Sequence, residues 1–244
     1  MRGPLDSTLL LLLRRATSTS PVPVFSCRNH LRVRAMTTTT TPSQKPDFLL
    51  VLDFEATCGD AVSRMEIIEF PTLVYDLKQD KVISTFHEYV KPVLHPTLTP
   101  FCTELTGITQ DVVDKADTFP EVWNRYRDFL KRQGVFDNPD AYIFVTCGQW
   151  DLKTMLPNQL EISESTEGRD DSGELVSPYN RFINLKQAFR RHYKTRFNAG
   201  MLDMLSKLKM EVEGRHHSGI DDCRNILRII QRMRSEGWEP KETR

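Results

Sequence analysis

FLLVLDFEATC, residues 48–58, reads as a buried strand that carries two carboxylates, Asp53 and Glu55, near its end. Residues two apart on a strand share a face, so Asp53 and Glu55 project together while Leu50, Leu52 and Phe54 point the other way. Two like charges a few ångströms apart in a partly buried place repel, and each also loses hydration. Either a divalent cation compensates them, or the strand ends in water and they face solvent. Asp-x-Glu alone leaves both readings open.

Outward from this stretch the pattern is that of a layered domain. DFLLVLDFEA forms one near-continuous strand, and IIEFPTLVYDL and VISTFHEYVKP follow as two more before the Pro-rich PVLHPTLTP. FPEVWNRYRDFLKRQG places Val122, Trp123, Tyr126, Phe129 and Leu130 at helical spacing and ends at Gly134. AYIFVTCG is a further buried strand, DLKTMLPNQL begins a helix, and EISESTEGRDDSGELVSPYN reads as a polar, acidic, mobile loop. Helical stretches follow around Leu185–Tyr193 and Met201–Lys209, and DDCRNILRIIQRMRSEG is the last helix. A meander of three strands followed by strands interleaved with helices predicts an α/β fold with a mixed central sheet flanked by helices.

Two further acidic sites stand out. Asp151 follows directly on a buried strand, at the sheet edge where functional residues collect in α/β folds, although a helix N-cap would also explain it. RHHSGIDDC, residues 215–223, offers two equal registers, His216 with Asp221 or His217 with Asp222. Helix periodicity separates the acids. Asp222 shares a face with Ile226, Ile229, Ile230 and Met233, whereas Asp221 shares one with Asn225, Arg228 and Arg232, which reads as the face toward water. The inward acid is therefore Asp222, and its register mate is His217.

Asp53, Glu55, Asp151 and Asp222 thus converge with one histidine. Hard oxygen donors without cysteine or paired histidine favour Mg²⁺, with Mn²⁺ as a substitute, over zinc. Such a set is the equipment of a two-metal phosphodiesterase, with His217 suited to take a proton from the attacking water.

Composition bounds the rest. The chain has 244 residues, 39% hydrophobic, enough for one sizeable domain. No window has the apolar length of a membrane span. Five cysteines, widely spaced and without a C-x-x-C pair, indicate neither a disulfide framework nor a zinc knuckle, and fit a reducing compartment. Residues 1–45 form a basic, Ser/Thr-rich leader and linker whose five-leucine run is short, closer to a mitochondrial transit peptide than to a secretory signal; a disordered tail reads equally well. Met36 is a possible internal start. The expected location is cytoplasmic or mitochondrial, and the folded domain is expected over 46–240. That domain is acidic, which works against nonspecific affinity for a long polyanion.

D-x-E in the first strand, a central Asp after a later one, and H-x-x-x-x-D entering the last helix resemble the DEDDh exonucleases. FLLVLDFEATC, EIIEFP, STFHEYVKP, LTPFCTELTGI, VTCGQWDLK, INLK and HSGIDDC are similar to blocks of the enhanced-RNAi (Eri-type) and histone-mRNA 3′ exonuclease family. The resemblance covers nearly all of the chain beyond the leader. It implies a ribonuclease H-like fold and a Mg²⁺-dependent 3′-to-5′ exoribonuclease that releases nucleoside 5′-monophosphates from single-stranded RNA 3′ ends. It puts the metal ligands on Asp53, Glu55, Asp151 and Asp222 and the general base on His217. The backbone around Glu55 and Ala56 would meet the terminal nucleotide, with Thr106 and Trp150 beside its sugar and base. A turn residue and an interfacial core aromatic are the alternative readings of those last two.

Some members carry an N-terminal SAP domain, and the stretch before Pro46 is not expected to fold into one. His216 stands where relatives often have Pro, and the acidic insertion around Ser163–Gly173 is a further departure. Two other functions remain in view: a DNA 3′-to-5′ exonuclease of the same fold, and an inactive RNA-binding relative, which the intact set of five site residues disfavours.

Overall fold

The computed structural model describes residues 45–196 and 200–243. The leader, the compartment it suggests and Cys27 all fall on 1–44, outside the described residues. Among the described residues six strands form one mixed sheet: β1 Phe48–Leu52, β2 Glu55–Ala56, β3 Ile67–Asp76, β4 Lys81–Tyr89, β5 Tyr142–Thr146 and β6 Phe182–Asn184. β3, buried along its whole length, is the organising strand. It pairs antiparallel with β1 (Phe48↔Asp76 to Leu52↔Thr72), with β4, and with the short β2 (Glu55↔Glu69). On its other side β1 runs parallel to β5, and β5 runs parallel to β6.

Among the described residues seven α-helices cover the sheet: α1 Pro100–Thr106, α2 Gln110–Lys115, α3 Phe119–Arg132, α4 Leu156–Ile162, α5 Leu185–His192, α6 Met201–Lys207 and α7 Gly219–Ser235. Because side chains alternate along β1, it feeds two cores. Leu50, Leu52 and Phe54 join Phe70, Phe86, Trp123 and Tyr126 against α3, where the Phe70 and Tyr126 ring centroids lie 4.3 Å apart. Leu49 and Val51 join Phe189, Met204, Ile226 and Ile230 under α5, α6 and α7. Each large apolar side chain buried this way contributes roughly 1.5–3 kcal/mol. Asp53 and Glu55 continue the parity of Leu49 and Val51, so both carboxylates rise on the α7 side.

Three local expectations are corrected. The strand through FLLVLDFEA is broken: β1 stops at Leu52, and the N–H of Phe54 is taken by the Asp151 carboxylate at 3.0 Å in place of a ladder partner. The acidic stretch after α4 is tied down rather than loose. The Asp170 side chain accepts from the backbone N–H groups of Ser172 and Glu174, Arg169 bridges Leu175, and Tyr179 is buried against Trp123. Asn225 is fully buried, because its side chain donates to Glu213 O and accepts from Glu213 N, so the face it shares with Asp221 is not wholly solvated.

Candidate active site

The four acids arrive from four segments. Asp53 leaves the end of β1, Glu55 opens β2, Asp151 starts a π-helical turn (Asp151–Met155) after β5, and Asp222 lies in the first turn of α7. Carboxylate oxygens of Asp53, Glu55 and Asp222 lie within 4.8 Å of one another. Asp151 completes the group through its bond to Phe54 N, between the first two. Glu55, Asp151 and Asp222 are buried and Asp53 is half-buried.

Crowding shows in the proton affinities. Burial, then the charges of Asp151, Asp222, Glu55 and Glu69, raise the Asp53 carboxyl well above the usual range. Burial and the neighbours Asp222, Glu69 and Asp151 push Glu55 up to about 8. Burial pushes Asp151 up to about 6, against the pull of the Phe54 N–H and the Lys186 charge. Asp222 is raised by burial, with His216 and the His217 N–H opposing. Four acids held above their ordinary values by burial, Asp53 and Glu55 also by their acidic neighbours, and three with oxygens within 4.8 Å of one another, could hold a hard divalent cation.

The histidine doublet is arranged differently from the simple register. His216 Nδ1 lies 3.1 Å from Asp222 Oδ2, and His217 donates its backbone N–H to the same oxygen at 3.0 Å. The His217 ring stacks on His216 with centroids 3.9 Å apart, and both rings have a nitrogen within 4.8 Å of an Asp222 oxygen. His217 sits at φ +64°, a left-handed conformation uncommon outside glycine and asparagine, which turns the chain sharply into α7. Burial, then the charge of His216, lowers the His217 pKa, leaving a neutral ring near pH 7.

The remaining expected contacts divide. Ala56 is held by α1, since Cys102 Sγ donates to Ala56 O, while Thr99 Oγ1 donates to Cys58 O at 2.6 Å. Thr106 is buried, and its hydroxyl is committed to its own turn: it donates to Cys102 O and accepts from Ile108 N. Trp150 is 37% exposed, so it is no core aromatic. It borders a hollow lined by Gly148, Lys186 and Arg190.

Several residues that sequence reasoning missed hold the site. Glu69, buried on β3, accepts from Gly219 N at 2.9 Å and Ile220 N at 3.2 Å, and also meets His87 Nε2 at 2.8 Å. It satisfies the orphan donors of α7 and complements that helix's positive end. Gly219 lets the helix close on the sheet, because a Cβ there would meet Asp53 O at 2.6 Å. Arg215 ties the loop before α7 to α1 through the carbonyls of Glu104 and Leu105. A Glu inside an otherwise apolar strand was the one available signal, in IIEFP.

A family profile described as Exonuclease matches residues 50–230. The chain is 43% identical over 204 residues to ERI1 exoribonuclease 3 of Homo sapiens, covering 83% of this chain and 58% of the relative. It thus spans little more than half the length of that curated relative. The solved nuclease domain of 3′hExo, a DEDDh family member bound to rAMP, matches with a TM-score of 0.73 and 33% identity, covering 83% of this chain and 99% of that one. The structure of a 3′-exonuclease in 3′-end-specific recognition of the histone mRNA stem-loop matches with a TM-score of 0.71 and 33% identity, over 81% and 66% of the two chains.

Proposed function

The chain belongs to the exonuclease family, on its DEDDh branch, and from that premise we propose that it is a Mg²⁺-dependent 3′-to-5′ exoribonuclease. In this reading it releases nucleoside 5′-monophosphates from single-stranded RNA 3′ ends. The observation that carries the reading is the convergence of Asp53, Glu55, Asp151 and Asp222 beside a neutral histidine at the end of the sheet.

Asp53, Glu55, Asp151 and Asp222 would hold two Mg²⁺ ions, or Mn²⁺ in their place. When bound, such ions lower the pKa of water and stabilise the charge on the scissile phosphate and the leaving oxygen. The protein's own part is proton handling and placement. His217, neutral near pH 7, accepts the proton of the attacking water. Its sharp backbone turn and its N–H bond to Asp222 fix the ring's origin relative to the carboxylates. The backbone at Glu55 and Ala56, braced by α1, offers a rigid wall for the terminal nucleotide, and Trp150 an exposed ring for its base. The names of the relatives, an exoribonuclease and a 3′-exonuclease that recognises the histone mRNA stem-loop, support RNA as the substrate class.

The test is a 5′-labelled single-stranded oligoribonucleotide with Mg²⁺, resolved on a denaturing gel beside the matched DNA. A ladder that shortens one nucleotide at a time, faster on RNA, is expected. Immediate internal fragments would overturn the exonuclease reading, and faster DNA cleavage would make the enzyme a deoxyribonuclease.

A further inference from the structure

Between Glu174 and Asp203 the sequence has no acidic residue, although 33 of its 244 residues are acidic. That interval holds Arg181, which pairs with Asp140 and Glu242, and five further basic residues, Lys186, Arg190, Arg191, Lys194 and Arg196. Among the described residues none of the five forms an ion pair, whereas eight other arginines, among them Arg125, Arg181 and Arg228, do. Helix-dipole stabilisation accounts for Arg190 and Arg191 in the last turn of α5. It does not account for Lys186, in the first turn, where a cation is disfavoured, nor for Lys194 and Arg196 beyond the helix.

Their placement is continuous with the active site. The hollow beside Trp150 is lined by Gly148, Lys186 and Arg190, and a second hollow by Arg190, Lys194 and Arg196, so that Arg190 joins the two. Lys186 is near enough to Asp151 for its charge to act on that carboxylate. A Cβ on Gly148 would lie 3.8 Å from the Lys186 ammonium, which places that cation against the turn leading to Trp150. Lys186 and Arg190 lie one helical turn apart on one face. Arg190, Lys194 and Arg196 are exposed.

We infer that this groove, from Trp150 past Lys186 and Arg190 to Arg196, binds the sugar–phosphate backbone of the RNA strand upstream of its 3′-terminal nucleotide. The inference rests on the exoribonuclease reading and deepens it. From Asp47 onward the chain has 26 basic and 32 acidic residues, so a polyanion is repelled by the surface at large. The cations lining the two hollows supply attraction along one line that leads to the carboxylates. Cations on a groove contact phosphates without reading bases, so the track is indifferent to sequence.

The experiment compares wild type, the triple variant Arg190→Glu, Lys194→Glu, Arg196→Glu, and a control with the same charge change, Lys131→Glu, Lys207→Glu, Lys241→Glu. Cleavage of the dinucleotide UpU and of an oligouridylate of about a dozen nucleotides is measured with Mg²⁺. Binding of the fluorescent oligouridylate is measured in EDTA across a salt series. For the groove variant, KM on the long substrate should rise roughly tenfold or more and the salt slope of binding should fall by about 2, three phosphate contacts being lost. UpU cleavage should change less than twofold, and the control should match wild type. Unchanged binding of the long strand would overturn the groove and leave it to an acidic protein surface. Equal weakening by the control would overturn it in favour of net charge alone. Wild type that binds the oligomer through the groove but cleaves neither RNA would refute the exoribonuclease reading and not the groove.

Discussion

The carboxylate of Glu69 on β3 accepts the N–H of Gly219, the first residue of α7, at 2.9 Å across 150 residues of sequence. Three residues on, Asp222 reaches the cluster, so the depth of α7 against the sheet sets where that carboxylate stands. Glu69→Ala leaves two buried helix donors without a partner, a loss of about 1–3 kcal/mol. Urea denaturation should show that loss, and a Mg²⁺ titration of cleavage should need more metal, with wild-type kcat only partly recovered at saturation. Wild-type metal dependence in a stably folded Glu69→Ala would mean that α7 is held by its apolar face alone.

The two histidines should separate by what they limit. His217→Ala removes the proposed base and should lower kcat by about 10²- to 10⁴-fold at any Mg²⁺ concentration. His216 helps to keep Asp222 ionised, so His216→Ala should raise the Mg²⁺ concentration required while sparing much of kcat at saturation. Metal-dependent initial rates distinguish the two, and the reverse ranking would assign the base to His216.

The carboxylate site was legible because each acid broke a local rule: two in an apolar strand, one at a strand's end, one on an apolar helix stripe. β1 and α7 carry clean periodicities, and the sheet order follows from the meander and the parallel β5. What was not legible depends on partners far along the chain. Nothing near Phe54 announces that Asp151 takes its N–H, which is why the strand breaks there. Nothing in Asn225 announces Glu213, twelve residues earlier, whose backbone satisfies it. Asp221 is likewise drawn out of water by Arg215 N and Arg224. The doublet HH also defeats spacing, since the turn at His217 brings both rings to Asp222.

Proton affinities make the metal-free protein sensitive to pH in an unusual direction. Asp53, Glu55, Asp151 and Asp222 are all held above their ordinary values, so the folded state binds more protons than the unfolded chain. The stability they contribute is full below the unfolded carboxyl range and is lost as pH rises through the folded values, about 6 for Asp151 and about 8 for Glu55. In EDTA the Tm should therefore fall between about pH 5 and about pH 8. Added Mg²⁺ should restore it increasingly toward the alkaline end, where the ligands are ionised. Calorimetry with no Mg²⁺ or Mn²⁺ stabilisation at the upper pH would refute the metal assignment.

Trp150 tests how the strand end is held. The indole is 37% exposed on the residue before Asp151, at the head of the hollow that Lys186 borders, so it can cover a base without disturbing a core. Stacking on one aromatic is worth about 1–3 kcal/mol, which is roughly ten- to hundredfold in KM or kcat/KM. Trp150→Ala should lose that factor on single-stranded RNA while keeping the thermal stability and the Mg²⁺ midpoint of wild type, because the indole ligates nothing and packs in no core. A paired terminal base cannot present its face to the ring without first unstacking, so a blunt RNA duplex should be a poor substrate for both proteins, and the variant should lose little more on it. Parallel time courses on the single strand and the blunt duplex, each with a Mg²⁺ titration, decide the matter: equal rates on the two substrates with wild type, or a shifted Mg²⁺ midpoint in Trp150→Ala, would remove Trp150 from the terminal base and return it to a role in shaping the turn before Asp151.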